Sequence, residues 1–124
     1  MTSYERGAVV LVPFPFSERL VAKKRPAVVV SSDAYHKVSS DVIIAQITSK
    51  LSVAPRPGDH RVVAWQEAGL AIPSLVRPKL ATLHNGLLLR RLGTMTPRDM
   101  RAIDRGLGVA LSLASSSARR EKYA

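Results

Sequence analysis

Gly7-Ala8-Val9-Val10-Leu11-Val12-Pro13-Phe14-Pro15-Phe16 and, after a basic stretch, Lys24-Arg25-Pro26-Ala27-Val28-Val29-Val30-Ser31 decide how this chain folds. Each holds a short run of apolar, largely β-branched residues punctuated by glycine or proline, which is the pattern of a strand. The first strand is expected over Ala8–Val12. Pro13 and Pro15 carry no N–H to give to a ladder, so it ends irregularly there or lies on a sheet edge. Ser17 to Arg25 is polar and basic and reads as a loop. The second strand is expected over Pro26–Ser31, with proline at its tolerated first position; Pro26 also biases Arg25 toward extended backbone.

Working outward, Ser32 to Asp41 reads as loop and Val42–Thr48 as a third strand. Strand alternation puts Ile43, Ala45 and Ile47 on one face and Val42, Ile44, Gln46 and Thr48 on the other, so the polar end of that second face opens toward water. Leu51 to Asp59, with Pro55, Pro57 and Gly58, reads as loop. A fourth strand is expected over His60–Trp65, a turn over Gly69–Pro73, and a fifth strand over Ser74–Leu83, interrupted or edge-placed at Pro78. Asn85-Gly86 signals a turn before a short strand over Leu87–Leu92.

The pattern then changes. Thr96-Pro97-Arg98-Asp99 is a capping signature: a hydroxyl N-cap, proline at the first helical position and an acid three residues on. Met100, Ile103, Leu107, Ala110 and Leu111 recur at helical spacing, predicting an amphipathic helix over Pro97–Leu113. Gly106 and Gly108 weaken it by about 1 kcal/mol each relative to alanine. Residues 1–114 are expected to form one domain and 115–124 a flexible tail. Many short strands followed by one helix predict a mainly β fold, a small barrel or strongly curled sheet with a C-terminal helix packed on it.

Composition narrows the function. The 124 residues suit a single core, and the absence of cysteine excludes a disulfide scaffold, a thiolate metal site and a cysteine nucleophile. Nineteen Lys and Arg against nine Asp and Glu leave a net charge of +10, which favours a polyanionic partner, nucleic acid before an anionic membrane. The longest apolar run, Ala8 to Phe16, contains two prolines and falls far short of the ~20 residues of a membrane-spanning helix. It is also a poor signal peptide, with Ser17-Glu18-Arg19 directly after it, so the expected location is the cytoplasm.

Most catalytic constellations are missing. His36, His60 and His84 lie 24 residues apart with no second ligand at helical spacing, so no zinc motif is present and no metal or cofactor is expected. There is no Gly-x-Ser-x-Gly elbow, and the aspartates are scattered, with Asp99 and Asp104 assigned solvated or capping roles. Arg25 is the sharpest remaining candidate. A guanidinium at a loop–strand junction can grip a phosphate with two hydrogen bonds, although Lys23, Lys24 and Arg25 could equally solvate a hairpin tip. Thr48 and Ser49, closing the third strand, could donate to a phosphate oxygen or simply end the strand. Phe14 and Phe16 could stack bases or fill the core.

The Gly7–Phe16 and Lys24–Ser31 stretches, followed by Ile47-Thr48-Ser49, Pro73-Ser74-Leu75-Val76-Arg77, Arg91-Leu92-Gly93 and the capped helix, resemble the MazF/PemK family of toxins from toxin–antitoxin modules. The resemblance runs over about residues 7 to 113. It implies an SH3-like β-barrel with helices, a homodimer, and metal-independent, sequence-specific endoribonuclease cleavage of single-stranded RNA. It matches the family's arginine before proline to Arg25 and the threonine closing the third strand to Thr48. The chain departs from the family at Ala8, where an acid is frequent, and at Glu18, the nearest carboxylate before Arg25 and seven positions away. Pro78 also interrupts a usually regular strand.

The implied reaction is attack of the RNA 2′-hydroxyl on the adjacent phosphorus, with Arg25 stabilising charge on the non-bridging oxygens and Thr48 donating a hydrogen bond. Lys23 and Lys24 would position the backbone, joined by Ser49, while Gln46, on the face of Thr48, reads a base or serves structure. The implied partners are RNA, a second copy of the chain and an antitoxin with an acidic disordered tail. A non-catalytic RNA-binding barrel and a gyrase-directed toxin of the same architecture stay open, because fold alone does not fix function.

Overall fold

The computed structural model describes residues 4–13, 23–51 and 54–113. Six antiparallel strands form one curled sheet: β1 (Ala8–Pro13), β2 (Lys24–Val29), β3 (Asp41–Thr48), β4 (His60–Arg61), β5 (Leu75–His84) and β6 (Arg90–Thr94), in the order β4-β5-β3-β2-β1-β6. A short helix, α1 (Asp33–Val38), joins β2 to β3, and α2 (Pro97–Ala110) follows β6. The mainly β fold with a C-terminal helix is as the sequence predicts.

Both faces of the sheet are covered, which is why β1 and β2 read as unbroken apolar runs. One face buries Ala8, Val10, Val12, Ala27, Val29, Val42, Ile44, Ala81 and Leu83. The other buries Val9, Val28, Ala45, Ile47 and Val76 against Met100 and Ile103 of α2 and against Val62, Ala68 and Leu70. The alternation of β3 thus follows the predicted face assignment, with Gln46 and Thr48 on the face away from α2.

Several boundaries move, each for a physical reason. β1 is an inner strand, paired with both β2 and β6, so it is not an edge; Pro13 ends it, and Phe14 to Phe16 lie outside the described residues. β2 begins at Lys24, which places Arg25 in a strand, not in a loop. The expected 32–41 loop contains α1, capped by Ser32, whose Oγ accepts the Tyr35 N–H at 3.1 Å. None of its residues is buried, so apolar periodicity gave no signal for it. The fourth strand stops at Arg61 because the Val63 and Ala64 amides turn to a carboxylate, that of Asp99. At Pro78, as expected, β5 is irregular: the register shifts there, Ala45 pairing with Leu80 but Gln46 with Arg77, and β4 no longer pairs beyond Val76. The expected 87–92 strand is displaced to Arg90–Thr94 behind a 3-10 turn over Asn85–Leu87.

α2 is capped as the signature predicts: Thr96 Oγ1 accepts the Asp99 N–H at 3.2 Å, and Pro97 opens the helix. It ends at Ala110, short of Leu113. Gly106 explains its place in the helix by a close approach. A Cβ there would lie 2.2 Å from the Gly58 carbonyl oxygen, so the 54–59 segment rests directly on the helix backbone. The expected tail, 115–124, lies outside the described residues.

Candidate active site and nucleic-acid interface

Strand register collects the candidate residues. In an antiparallel sheet, residues directly opposite each other share a face. Val12 pairs with Arg25, Thr48 with Leu75, and Leu75 with Arg61. The β2–β3 ladder pairs Ala27 with Gln46; continued by two residues, it sets Arg25 opposite Thr48. One row across the sheet therefore reads Val12, Arg25, Thr48, Leu75, Arg61. The row above it carries Ala27, Gln46 and Arg77.

Pro26 opens the sheet at this point. Val29 turns its carbonyl toward β1, where it accepts the Gly7 N–H at 2.8 Å, and Val30 gives its N–H to Ile43 on β3 at 2.9 Å. Because backbone groups alternate along a strand, Pro26 faces β3, and there it has no N–H to give. The β2–β3 pairing accordingly ends at Ala27–Gln46. Arg25 and Thr48 then face each other across an unpaired stretch, with Arg25 half-buried and Thr48 only 9% exposed. Proline in this inner strand is tolerated because the ladder finishes where its donor is missing.

The Thr48 hydroxyl is held in place. Its Oγ1 accepts the Lys50 N–H at 3.2 Å, which fixes the oxygen and leaves its own proton to give. Ser49 and Lys50 follow, both exposed. Lys24 alternates to the opposite face from Arg25, and Lys23 precedes the strand; both are exposed. Arg25, Gln46 and Thr48 are thus brought together, while Lys23 and Ser49 border the group and Lys24 points away from it.

Arg77, opposite Gln46, is spoken for. Asp59 accepts its Nε at 3.1 Å and its Nη2 at 2.8 Å, with side chains only 10% and 5% exposed, and Asp59 also accepts the Arg56 N–H at 2.9 Å. The Arg77 guanidinium holds the Asp59 carboxyl below the usual carboxylate range against the opposing effect of burial. Nothing local in the chain announces this pair, whose members are 18 positions apart and meet where the neighbouring Gly58 lies against α2.

On the other face, Asp99 forms a second buried centre. It is 1% exposed and accepts the Val63 and Ala64 amides, both at 2.9 Å, and lies 2.7 Å from His60 Nε2. Burial pushes its carboxyl up, but the two amides and the imidazole outweigh that and leave it below the usual range. Asp99 is thus neither solvated nor a simple cap: it ties α2 to the chain after β4. All three histidines are engaged away from the Arg25 row: His60 with Asp99, His36 with Ser31 Oγ at 2.6 Å, and His84, whose Nδ1 accepts the Gly86 N–H. Among the described residues no three His, Cys, Asp or Glu side chains converge on a possible metal position. No described helix is long and apolar enough to cross a membrane.

A curled, mainly β sheet with a C-terminal helix packed on one face is the architecture that the sequence resemblance implies. Residues 5–111 match the model of the PemK-like, MazF-like toxins of type II toxin–antitoxin systems, and the chain belongs to that family. Solved structures share the fold. An endoribonuclease in complex with its cognate antitoxin from a mycobacterial species superposes with a TM-score of 0.70 at 22% identity, over 91% of this chain and 99% of that one. MazF from Deinococcus radiodurans gives 0.71 at 20% identity, over 91% and 100%. The Mycobacterium tuberculosis toxin MazF-mt6 gives 0.69 at 20%, over 87% and 99%. No curated protein matches the chain in sequence.

Proposed function

We propose that this chain is the toxin of a toxin–antitoxin pair and acts as a metal-independent endoribonuclease on single-stranded RNA. The observation that carries this reading is the end of the β2–β3 ladder at Pro26, beyond which the register sets Arg25 opposite Thr48 on one face of the sheet. Family membership and the endoribonuclease described among structures of the same fold support it.

In the proposed reaction the RNA 2′-oxygen attacks the adjacent phosphorus and the 5′-oxygen of the next nucleotide leaves, giving a 2′,3′-cyclic phosphate and a 5′-hydroxyl. Negative charge grows on the non-bridging oxygens. Arg25 stabilises it with charge-assisted hydrogen bonds, and Thr48 donates one neutral bond from a fixed oxygen. Gln46, half-buried one row above, offers an amide to a base edge, and Lys23 and Ser49, which border the row, contact the flanking backbone; Lys24, on the opposite face, is left out of this contact. The chain works as a homodimer, with the apolar residues just after α2, the exposed Leu111 and Leu113, as one candidate contact. An acidic antitoxin segment restrains it by covering Lys23 and Arg25.

Sequencing the 5′ ends of RNA incubated with chelator-treated protein tests this reading. Recurrent cuts within one short motif are expected. Binding without cutting would favour an RNA-binding module, and inhibition of DNA supercoiling without RNA cleavage would favour a gyrase-directed toxin. A light-scattering mass near 13.5 kDa would contradict the dimer.

A further inference from the structure

We propose that Arg61 on β4 is a second phosphate-binding arginine, holding the RNA backbone on the side of Thr48 away from Arg25. The inference rests on the RNA-directed reading of the Arg25–Thr48 row and extends it across the sheet.

Three observations carry it. The first is register. Arg61 pairs with Leu75 and Leu75 with Thr48, so Arg61 stands in the Arg25–Thr48 row, two strand spacings or about 10 Å from Thr48. The second is facing. Its neighbours confirm the side by alternation: His60 and Val62 turn to α2, the first bonding Asp99 and the second joining the core beneath the helix. Asp59 turns the opposite way and meets Arg77. Arg61, between His60 and Val62, therefore shares the face of Arg25 and Thr48.

The third observation is charge. The nearest arginine on this face, Arg77, is neutralised by Asp59 in a buried pair. Arg61 is exposed and forms no side-chain hydrogen bond or ion pair with any described residue. Of the two arginines on β4 and β5, one is locked and one is left to a ligand. A guanidinium on an edge strand, in line with a second guanidinium and an intervening hydroxyl, suits a backbone crossing the strands with successive phosphates. Such a contact positions RNA without reading its sequence.

Binding is measured with an RNA oligonucleotide made non-cleavable by 2′-deoxy substitution, for the unaltered protein, Arg61→Ala, Arg61→Lys and Arg98→Ala. Arg98 is an exposed arginine on α2, so its removal controls for the loss of one charge. Arg61→Ala is expected to weaken binding about tenfold, at the low end for charge-assisted bonds. It should also reduce the slope of log K against log salt by about 0.7, the contribution of one single-strand phosphate. Arg61→Lys should recover part of the affinity, and Arg98→Ala should leave the affinity near that of the unaltered protein. On cleavable RNA the cut-site motif should stay the same while KM rises and kcat holds. Equal effects of the Arg61 and Arg98 substitutions, an unchanged salt slope, or a changed cut motif would overturn the proposal. Failure of the unaltered protein to cleave RNA defeats the nuclease reading alone, because the binding comparison still decides Arg61; absence of RNA binding would overturn both.

Discussion

The two faces of the sheet treat charge in opposite ways. Under α2, Asp99 is sealed from water with two amides and an imidazole around it. On the far face, Arg25 stands where the β2–β3 ladder ends and Arg61 on the edge strand β4, neither in an ion pair with a described carboxylate. A buried charge is tolerated only when its partners are supplied by the fold. A guanidinium with no carboxylate partner among the described residues is available to meet an incoming anion. The difference separates a centre that holds the sheet to its helix from a row proposed to hold a substrate. Asp59–Arg77 marks the border between them: it lies on the open face but is paired like the closed one.

The comparison breaks most severely if the closed centre is emptied. Asp99→Ala leaves the Val63 and Ala64 amides and His60 without their acceptor, and an expected loss of about 3–5 kcal/mol follows from leaving these buried donors unsatisfied. Urea unfolding should record it as a lower midpoint, while cleavage per folded molecule stays close to that of the unaltered protein. Next in size is Arg25→Ala. It should lower kcat by roughly 10²–10³, the usual cost of one preorganised donor to a developing oxyanion, and leave the unfolding midpoint where it was. Thr48→Ala removes a neutral donor and should cost less, about tenfold in single-turnover rate. A Thr48 effect larger than that of Arg25 would assign the charge-stabilising role to the wrong residue.

Acid sharpens the same contrast more gently. Asp99 and Asp59 both titrate below the ordinary carboxylate range in the folded protein. Each therefore contributes stability in full above the unfolded value of about 3.9 and loses it as pH falls through the lower folded value. A thermal unfolding series from neutral pH downward should show a steep decline only below about pH 4. Asp99→Asn should flatten that decline, and an identical profile for the two proteins would remove Asp99 from the account.

Much of the fold could be read directly. The apolar runs of β1, β2 and β3 and the Thr96-Pro97-Arg98-Asp99 cap announced themselves through strand and helix chemistry that is local in sequence. Arg25, Gln46 and Thr48 stand out as candidates by equally local signs, the Arg25-Pro26 junction and the polar end of an otherwise apolar strand, and the register shows only that they share a face. What stayed hidden depends on distant partners. The fourth strand looked continuous to Trp65 because nothing near Val63 shows that Asp99, 36 positions on, takes its amide. Arg61 carries no local sign of its own; only its pairing with Leu75 sets it in the row of Thr48. β1 looked like an edge because its prolines were visible and its partner β6, some eighty residues later, was not.

The central claim is that the open row carries out attack by a 2′-hydroxyl, and one substitution in the substrate addresses it directly. An RNA oligonucleotide containing the mapped cut motif is compared with the same oligonucleotide bearing a single 2′-deoxy nucleotide immediately 5′ of the scissile phosphate, both with chelator-treated protein. The account predicts that the first is cut to a 2′,3′-cyclic phosphate and a 5′-hydroxyl end while the second is bound but left intact. Cleavage of the deoxy-substituted strand at the same bond would contradict it.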